Sequence, residues 1–592
     1  MSTQQATSTQ NGHAAVSTDR FGSDVIADAL RALGLQYVAL NPGASYRGLH
    51  DSIVNHLGNA RPKMLVCLHE EHAVGIAHGY AKVSGRLMGA IVHSNVGLMH
   101  ATMAIFNAWC DRVPVLVLGA TGPVDAAQRR PWIDWIHTAQ DQGALVRDYT
   151  KWDNQPASAA AAVEALSRAA QIACTLPRGP VYVCFDAEVQ EAPSREIAMP
   201  DPARYAPPVT AAPRPEIIAE LARALDSARA PVMLAGRVSR DQTAWKNRVA
   251  LAERLGMRVF TDMKLAAAFP TDHPLAMGPP ATFMSDAARA ALGDADVVLS
   301  LDWVDLGGAL RGAFGERVTA KVASASVDFA SHGGWSMDYQ MLPPVDFSLA
   351  SDPDDVVAAL LEALGTAPPK AMPAAAPKPP KRASGGAFNL HDVATVLYET
   401  LGDRPAMLLG VQLGWSGDDL RLTGPLDYFG GIGGGGVGGG PGVAVGAALA
   451  LRDAGEGRLP IALLGDGDFL MGATAIWTAV QEKIPLLVIV GNNRAYFNDV
   501  LHQERIAKTR GRPVENRFVG QRIDDPPVDI AALAGSLGAR GIGPVSDASA
   551  FQAALDEGLQ IVTEGGVCVI DALVLPEYDS AMAAGLMRGA SD

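Results

Sequence analysis

Residues 460–493 read PIALLGDGDFLMGATAIWTAVQEKIPLLVIVGNN. Two short apolar runs, 460–464 and 485–490, enclose a segment in which apolar residues recur at helical spacing. Each run has the length of a buried strand and ends in a polar cluster. The pattern predicts a βαβ unit whose parallel strands end at one edge of the sheet. Asp466 and Asn493 are therefore predicted to be neighbours in space.

The two polar clusters have the composition of a metal site. A carboxylate from Asp466 and an amide oxygen from Asn493 suit a hard divalent cation such as Mg²⁺, which takes its other ligands from phosphate and water. A helix predicted to start near Asp468 would direct backbone N–H groups at an anion, and the adjacent glycines allow close approach. The stretch predicts a metal–diphosphate site, although either cluster alone is explained as well by an ordinary turn or loop.

The rest of the chain repeats the alternation of short β-branched runs and helical patterns, which is typical of parallel sheets joined by crossover helices. A chain of 592 residues with 48% hydrophobic content is too long for one core. We predict an α/β fold with three doubly wound parallel-sheet domains, at about 18–190, 205–365 and 388–583. Residues 366–387, dense in Ala, Pro and Lys, are predicted to be a linker, and residues 1–17 a disordered tail without the features of a secretory signal.

Composition also indicates which classes of binding partner are disfavoured. The net charge of -15 and the pI near 5.3 speak against binding to nucleic acid or to an anionic membrane. The apolar runs are far shorter than the roughly 20 residues that cross a bilayer. Five cysteines without metal-ligand or CxxC spacing favour reduced core thiols. These features predict a cytoplasmic protein that acts on a small molecule.

A GDG motif at 465–467 followed by Asn492-Asn493, each after an apolar strand, resembles the motif of thiamine-diphosphate-dependent enzymes. The similarity is to the branch of acetolactate synthases and 2-oxo-acid decarboxylases, and it implies pyrimidine-binding, central and diphosphate-binding domains in that order. It also implies thiamine diphosphate and Mg²⁺ as cofactors, with metal ligands from the side chains of Asp466 and Asn493 and the backbone carbonyl of Ala495. The residues implied to line the diphosphate site are Gly465, Asp466, Gly467, Asp468, Asn493, Ala495 and Tyr496.

A glycine-rich segment, GGIGGGGVGGGPGVAVG at 430–446, precedes this motif. Taken alone it is a weak dinucleotide fingerprint or a flexible loop, and the dinucleotide interpretation lacks a preceding apolar strand. It resembles the family's segment that lies against the thiazolium and aminopyrimidine rings. By this resemblance Val437 holds the cofactor bent, although Val is smaller than the usual Met, Leu or Ile. The backbone carbonyl of Gly435 would meet the 4'-amino group.

Residues 68–73, LHEEHA, followed by GYAK at 79–82, resemble the family's catalytic glutamate element and the GYAR helix after it. The match places Glu70 as the acid that protonates the far side of the pyrimidine. Without the match, a carboxylate at a helix start would be the simpler interpretation. We expect Glu70 to be buried with a raised pKa and Glu71 to lie at the surface. In this family the glutamate reaches the cofactor of the partner subunit, which implies a homodimer or homotetramer with active sites at the subunit interface.

The segment HSNVGLMH at 93–100 stands where acetolactate synthases carry a TSGPG-like turn, and it suggests a changed substrate pocket. His93, Asn95 and His100 are predicted catalytic residues. For a histidine beside an apolar strand, a satisfied structural role is the commoner alternative. Further candidates for substrate contact are Trp132, His137, Gln140 and His502, and candidates for holding a carboxylate are Arg129, Arg130 and Lys151.

The predicted function is cleavage or ligation of a carbon–carbon bond next to a carbonyl, most simply by a 2-oxo-acid decarboxylase or carboligase resembling acetolactate synthase. The tryptophan-containing element that follows Asn-Asn in acetolactate synthases is missing here, which counts against a role in branched-chain synthesis. One alternative is a lyase or hydrolase of a diketone or a 2-hydroxyacyl-CoA; another is a binding protein without catalysis. FAD in the central domain is possible, but residues 235–237 and 301–303 match the flavin pattern poorly.

Overall fold

The computed structural model describes residues 19–328, 342–366, 368–370, 387–576 and 578. The predicted tail at 1–17 and most of the predicted linker at 366–387 lie outside the described residues. Three parallel sheets, each flanked by helices, follow one another along the chain. The predicted fold class, three α/β domains with parallel sheets, is confirmed.

The first sheet has six strands in the order β2-β1-β3-β4-β6-β5, all parallel. Its strands are β1 Tyr37–Leu40, β2 Lys63–Val66, β3 Met88–Ile91, β4 Val115–Thr121, β5 Asp153–Asn154 and β6 Val181–Asp186. Its α-helices are α1 Gly22–Ala32, α2 Arg47–Asp51, α3 Glu70–Ser84, α4 Ser94–Cys110, α5 Ile133–Ile136, α6 Ala159–Cys174 and α7 Ala187–Glu191.

The middle sheet has five parallel strands in the order β11-β10-β9-β7-β8. Its strands are β7 Pro231–Ala235, β8 Arg258–Thr261, β9 Val297–Leu301, β10 Lys321–Ala325 and β11 Phe347–Leu349. Its helices are α8 Pro215–Ser227, α9 Gln242–Leu255, α10 Asp286–Gly293, α11 Leu306–Phe314 and α12 Pro353–Leu364.

The third sheet has five parallel strands in the order β12-β13-β14-β16-β15. Its strands are β12 Ala406–Leu408, β13 Leu459–Gly465, β14 Leu486–Asn492, β15 Arg540–Val545 and β16 Val567–Leu573. Its helices are α13 Leu390–Leu401, α14 Gly440–Ala454, α15 Asp466–Gly472, α16 Ala475–Gln481, α17 Phe497–Thr509, α18 Ile530–Ser536 and α19 Ala548–Thr563.

The opening stretch forms the predicted βαβ unit, with one difference. The segment between β13 and β14 is two short helices, α15 and α16, where the apolar spacing predicts a single helix starting near Asp468. The first of them begins at Asp466. Gly472, at its end, packs so closely on Gly438 that a Cβ there would lie 2.4 Å from the Gly438 carbonyl oxygen. This close contact with the glycine-rich segment accompanies the break between the two helices.

Helices α3 and α14 join the first and third domains, because their residues share one hydrophobic core. The two helices cross at glycines. A Cβ on Gly79 would lie 2.0 Å from the carbonyl oxygen of Val443, and one on Gly446 would lie 2.0 Å from that of Ile76. Only glycine fits at either position, so the backbones can approach closely. Within the described part of the chain, no helix combines the length and apolarity needed to cross a membrane.

Candidate functional site

Asp466 and Asn493 lie together at the carboxyl edge of the third sheet, at the ends of β13 and β14. The Ala495 N–H donates both to Asp466 Oδ2, at 3.2 Å, and to Asn493 Oδ1, at 3.0 Å. The Gly467 N–H donates to Asp466 Oδ1 at 2.9 Å. The structure therefore brings together the two oxygens that the βαβ argument placed side by side.

The Asp466 carboxylate is buried, with 4% of the residue exposed. Burial raises its pKa to about 6, although backbone N–H bonds, that of Gly467 first, oppose the shift. Among the described residues no Lys or Arg side chain forms an ion pair with it. A buried carboxylate without a cationic partner, beside an amide oxygen, has the donor set and the unmet charge that a divalent cation would satisfy.

The remaining residues of the predicted diphosphate site surround this pair. Tyr496 packs on Gly467, where a Cβ would lie 2.6 Å from its ring. Asn492 supports the loop from behind: its Nδ2 donates to Asp571 Oδ1 at 2.9 Å, and its Oδ1 accepts the Arg494 N–H at 3.0 Å. Arg494 has a φ of 56°, which turns the chain sharply after Asn493. The role of Asp571 depends on pairing of β14 with β16, and no sequence motif marked it.

Asp468, predicted to line the diphosphate site, is hydrogen-bonded to the glycine-rich segment. Its Oδ1 accepts the N–H groups of Gly438, at 2.6 Å, and Gly440, at 3.2 Å. The carboxylate thus holds the glycine-rich segment and is occupied by backbone donors. Within that segment Gly435 has a φ of +65°, and the Val437 side chain is 44% exposed. An apolar side chain left uncovered beside the metal-site helix is consistent with the predicted contact to the cofactor rings.

Glu70 begins helix α3 at the carboxyl edge of the first sheet and is buried, with 6% exposed, as predicted. Its Oε2 is 3.1 Å from His100 Nδ1, and a Cβ on Gly97 would lie 2.9 Å from its Oε1. Glu71 was expected at the surface, but it is half-buried. Its pKa is raised by burial and by the charge of Asp468, because the first turn of α3 faces the third domain.

His93 lies at the centre of a hydrogen-bonded chain of side chains at the same edge. Its Nδ1 is 2.9 Å from Ser45 Oγ, and its Nε2 is 3.3 Å from His137 Nδ1. Burial lowers the pKa of His93, and the neighbouring His137 lowers it further. The neutral imidazole can therefore accept or pass on a proton near neutral pH. His137 was a predicted substrate contact, whereas Ser45 was missed because a loop serine carries no signal until the fold places it.

The turn that carries His93 is strained. Ser94 has a φ of 47°, and its Oγ donates to the His137 carbonyl oxygen at 2.6 Å. Asn95 was predicted to be catalytic, and its Nδ2 donates to the Ile136 carbonyl oxygen at 3.1 Å. The contacts of Asn95 thus hold the 133–137 segment against the start of α4, so that His137 faces His93.

His69, Glu70 and His100 offer ligand atoms that all lie within 4.8 Å of one another, and the His69 and His100 rings stack at 5.1 Å. Two imidazoles and a carboxylate form a donor set that transition metals accept. Because Glu70 is the carboxylate predicted to meet the cofactor, this cluster belongs to the same site.

Among the described residues, the other candidates form no hydrogen bond with Ser45, His93 or His137. Trp132 and Gln140 are exposed, and His502 lies on α17 of the third domain. The hydrogen-bond donors of the three cationic candidates bond to groups within the first domain. Arg129 bonds to the Pro123 and Val124 carbonyls, Arg130 pairs with Asp134, and Lys151 bonds to the Ile172 and Thr175 carbonyls at the end of α6.

Comparison with known proteins decides the family. The N-terminal TPP binding domain of thiamine pyrophosphate enzymes matches residues 20–145, the central domain matches 218–335, and the C-terminal TPP binding domain matches 410–572. The chain belongs to the thiamine pyrophosphate enzymes. The resemblance stated from the sequence motifs is confirmed.

Among its relatives are a benzoylformate decarboxylase from Pseudomonas aeruginosa, 28% identical over 79% of this chain and 85% of that protein, and an acetolactate synthase large subunit from Corynebacterium glutamicum, 25% identical over 82% and 77%. The crystal structure of benzoylformate decarboxylase from Polynucleobacter necessarius shares the fold, with a TM-score of 0.78, 22% identity, and coverage of 95% of this chain and 99% of that one. The predicted enzyme class, a thiamine-diphosphate-dependent decarboxylase or carboligase, is confirmed at the level of this branch.

Backbone contacts continue beyond the strand ends of the middle sheet. β7 and β9 are the neighbours at which the strand order reverses, where a dinucleotide would enter such a sheet. Beyond the strand ends, the Gly236 N–H donates to the Leu301 carbonyl and the Arg237 N–H donates to the Asp302 carbonyl, both at 3.0 Å. A Cβ on Gly236 would lie 2.2 Å from the Asp302 carbonyl oxygen. Backbone pairing between the segments that follow β7 and β9 thus extends past the described strand ends.

Proposed function

We propose that this enzyme decarboxylates a 2-oxo acid and can transfer the resulting fragment to a second carbonyl, with thiamine diphosphate held through Mg²⁺. The observation that carries the proposal is the buried pair Asp466 and Asn493, whose oxygens share one N–H donor beside the glycine-rich segment. Asp466 and Asn493 would bind the cation by side chain, and Ala495 by its backbone carbonyl. Gly465, Gly467 and Tyr496 would line the diphosphate.

The bound cofactor supplies an electron sink for the bond that breaks next to the carbonyl. The chain supplies acids, bases and orientation. Glu70 holds a proton for the pyrimidine nitrogen, and its burial against Gly97 keeps water from competing for that contact. His100, hydrogen-bonded to Glu70, connects this carboxylate with the solvent side.

His93 is the proposed acid–base residue on the substrate side. Ser45 and His137 bond to its two ring nitrogens, which fixes the ring and provides a route for a proton in either direction. Asn95 and Val96 stand where acetolactate synthases carry the glycine and proline of their TSGPG-like turn. The difference supports a decarboxylase over a housekeeping acetolactate synthase. Benzoylformate is the first substrate to test, because one relative is named for its decarboxylation.

The two halves of the site support a shared active site between two copies of the chain. The described contacts of the Glu70 carboxylate lie within the first domain, whereas those of Asp466 lie within the third. Several large apolar side chains near these loops are exposed, at 70% for Trp132, 76% for Trp135 and 58% for Met471. Burial of such side chains would stabilise an oligomer. We propose a homodimer or homotetramer.

The test is CO2 release from a panel of 2-oxo acids, benzoylformate and pyruvate included, by protein loaded with thiamine diphosphate and Mg²⁺. The same vials are analysed for ligation products, and the protein is checked for flavin absorption, which we expect to be absent. The acid from which CO2 is released is the donor substrate. If loaded protein releases no CO2 from any of them, the decarboxylase proposal is wrong, and the lyase or hydrolase of a diketone or 2-hydroxyacyl-CoA replaces it.

A further inference from the structure

The glycine-rich segment at 430–440 is attached to all three domains. In the third domain, Asp468 accepts the N–H groups of Gly438 and Gly440. In the middle domain, the Lys264 carbonyl accepts the Gly431 N–H at 2.9 Å. Each of these anchors uses a specific backbone group of the segment, so the segment is held at defined points along its length.

The first domain supplies the two anchors that no motif assigned to the site. Asn107, on α4, accepts the Gly434 N–H at its Oδ1, at 3.1 Å, and is 1% exposed. Lys82, on α3, donates from Nζ to the Gly431 carbonyl at 2.6 Å and to Asp111 Oδ2 at 2.7 Å. Its ammonium group also lies 4.2 Å from the centre of the Phe429 ring.

The lysine is itself held in place. Asp111, which pairs with Lys82, also bonds to His78 Nε2 at 2.9 Å. Arg240 of the middle domain donates to the Lys82 carbonyl and, at 3.3 Å, to the Phe429 carbonyl. A lysine with 10% of its side chain exposed and three kinds of partner has little freedom to move. Lys82 therefore fixes the start of the segment relative to α3.

The anchors bracket the residues that face the cofactor. Gly434 and Gly438 are fixed by Asn107 and Asp468, and Gly435 and Val437 lie between them. The glycines also lie flat on α4, since a Cβ on Gly434 would lie 2.5 Å from Asn107 Oδ1 and one on Gly436 would lie 2.6 Å from Met103 Cε. Displacing an anchor on the first-domain side would move Gly435 and Val437 without touching Asp466 or Asn493.

We propose that Lys82 and Asn107 are positioning residues, which hold the 430–440 segment in the position in which it contacts the ring system of the cofactor. The inference rests on the proposed cofactor site. It assigns a second task to α3: its first turn carries Glu70, proposed to act on the cofactor of the partner subunit, and its last turn, through Lys82, places the segment that contacts the cofactor of its own chain. Loss of Lys82 or Asn107 weakens binding of the rings and leaves binding of the diphosphate unchanged.

The experiment compares two probes, thiamine diphosphate and inorganic diphosphate, each titrated with Mg²⁺ into apo protein by calorimetry. For Lys82→Met we expect the affinity for thiamine diphosphate to fall about tenfold, while that for inorganic diphosphate stays within about twofold. Lys82→Arg, which keeps the charge and donors, restores most of the loss. Asn107→Ala is the second variant, and it shows the same split should Lys82→Met fail to fold.

Lys63→Met is the matched control. Lys63 also joins the first and third domains, through Glu482, but it makes no contact with the segment. We expect this variant to bind both probes like the wild type. The proposal is overturned if Lys82→Met binds thiamine diphosphate normally, if it loses both probes equally, or if Lys63→Met shows the same split. Failure of the wild type to bind thiamine diphosphate would instead refute the proposed function.

Discussion

Two adjacent glutamates show how a single position decides a role. Glu70 and Glu71 are consecutive residues at the start of α3, and their carboxylates face different neighbours because successive side chains of a helix point in different directions. Glu70 contacts His100 and Gly97 at the edge of the first sheet, whereas Glu71 faces Asp468 of the third domain. Only the first points into the group of side chains that can perform acid–base chemistry.

Glu70→Gln removes the proposed proton donor and keeps the size of the side chain. We expect CO2 release and exchange of the cofactor's C2 proton to fall by about 100-fold or more, because a positioned acid contributes on that order. Binding of thiamine diphosphate should persist, since Asp466 and Asn493 are untouched. C2 exchange is followed by NMR in deuterated buffer.

Glu71→Gln is the matched control, because it makes the same chemical change one residue away. We expect its C2 exchange to stay within about threefold of the wild type, since a residue outside the reacting groups supplies little of the acid–base contribution. Full exchange in Glu70→Gln, or equal losses in the two variants, would falsify the assignment of Glu70.

At the scale of elements, the α3–α14 crossing determines how the first and third domains meet. The glycines at 79 and 446 each face a carbonyl oxygen of the other helix. The GYAK sequence was read as a family landmark, and the crossing supplies its physical reason. Position 79 requires glycine because the backbones of the two helices are in contact there, and a backbone cannot move aside as a flexible side chain can.

Gly79→Ala should therefore destabilise the protein by about 3 kcal/mol, because the added methyl group overpacks a backbone–backbone contact. The measurement is the thermal unfolding midpoint, which we expect to drop by several degrees. Gly535→Ala, within α18, is the control: nothing lies within 4 Å of its added Cβ, and a helical alanine should stabilise by up to about 1 kcal/mol. An unchanged midpoint in Gly79→Ala would show that the helices separate at little cost.

At the scale of the whole molecule, the site consists of two halves on different sheet edges. The acid–base half, with Glu70 and His93, belongs to the first domain, and the metal half, with Asp466 and Asn493, belongs to the third. Close contacts between these domains within one chain include those of α3, α14 and the glycine-rich segment and the Lys63–Glu482 ion pair.

Complementation tests the sharing directly. Glu70→Gln and Asp466→Asn chains, each inactive alone, are co-expressed with different affinity tags. If each site combines Glu70 of one chain with Asp466 of another, half of the sites in a mixed dimer are intact, and a random mixture recovers about a quarter of the wild-type activity. If one chain carries a whole site, the mixture stays inactive. The presence of mixed dimers is confirmed by sequential purification on both tags.

The sequence alone determined the fold class, and it predicted the chemistry of the proposed metal half. Apolar runs followed by GDG and Asn-Asn are local patterns, and parallel strands bring their carboxyl ends together whatever the rest of the chain does. Asp466 and Asn493 were therefore predicted as neighbours from local patterns, and Glu70 was predicted from the family resemblance of its motif. Shorter or glycine-containing strands such as β5, β11 and β15 gave no comparable local signal.

Only the tertiary structure decided which side chains meet across elements far apart in sequence. Ser45, His93 and His137 come from three separate loops, and Lys82 and Asn107 reach a segment more than three hundred residues away. Asp468 was predicted to lie at the cofactor, and only the structure shows that its Oδ1 also accepts the N–H groups of Gly438 and Gly440. A motif specifies what a residue can do, whereas long-range packing specifies which partner satisfies it, because a buried polar group bonds to whatever the fold places within reach.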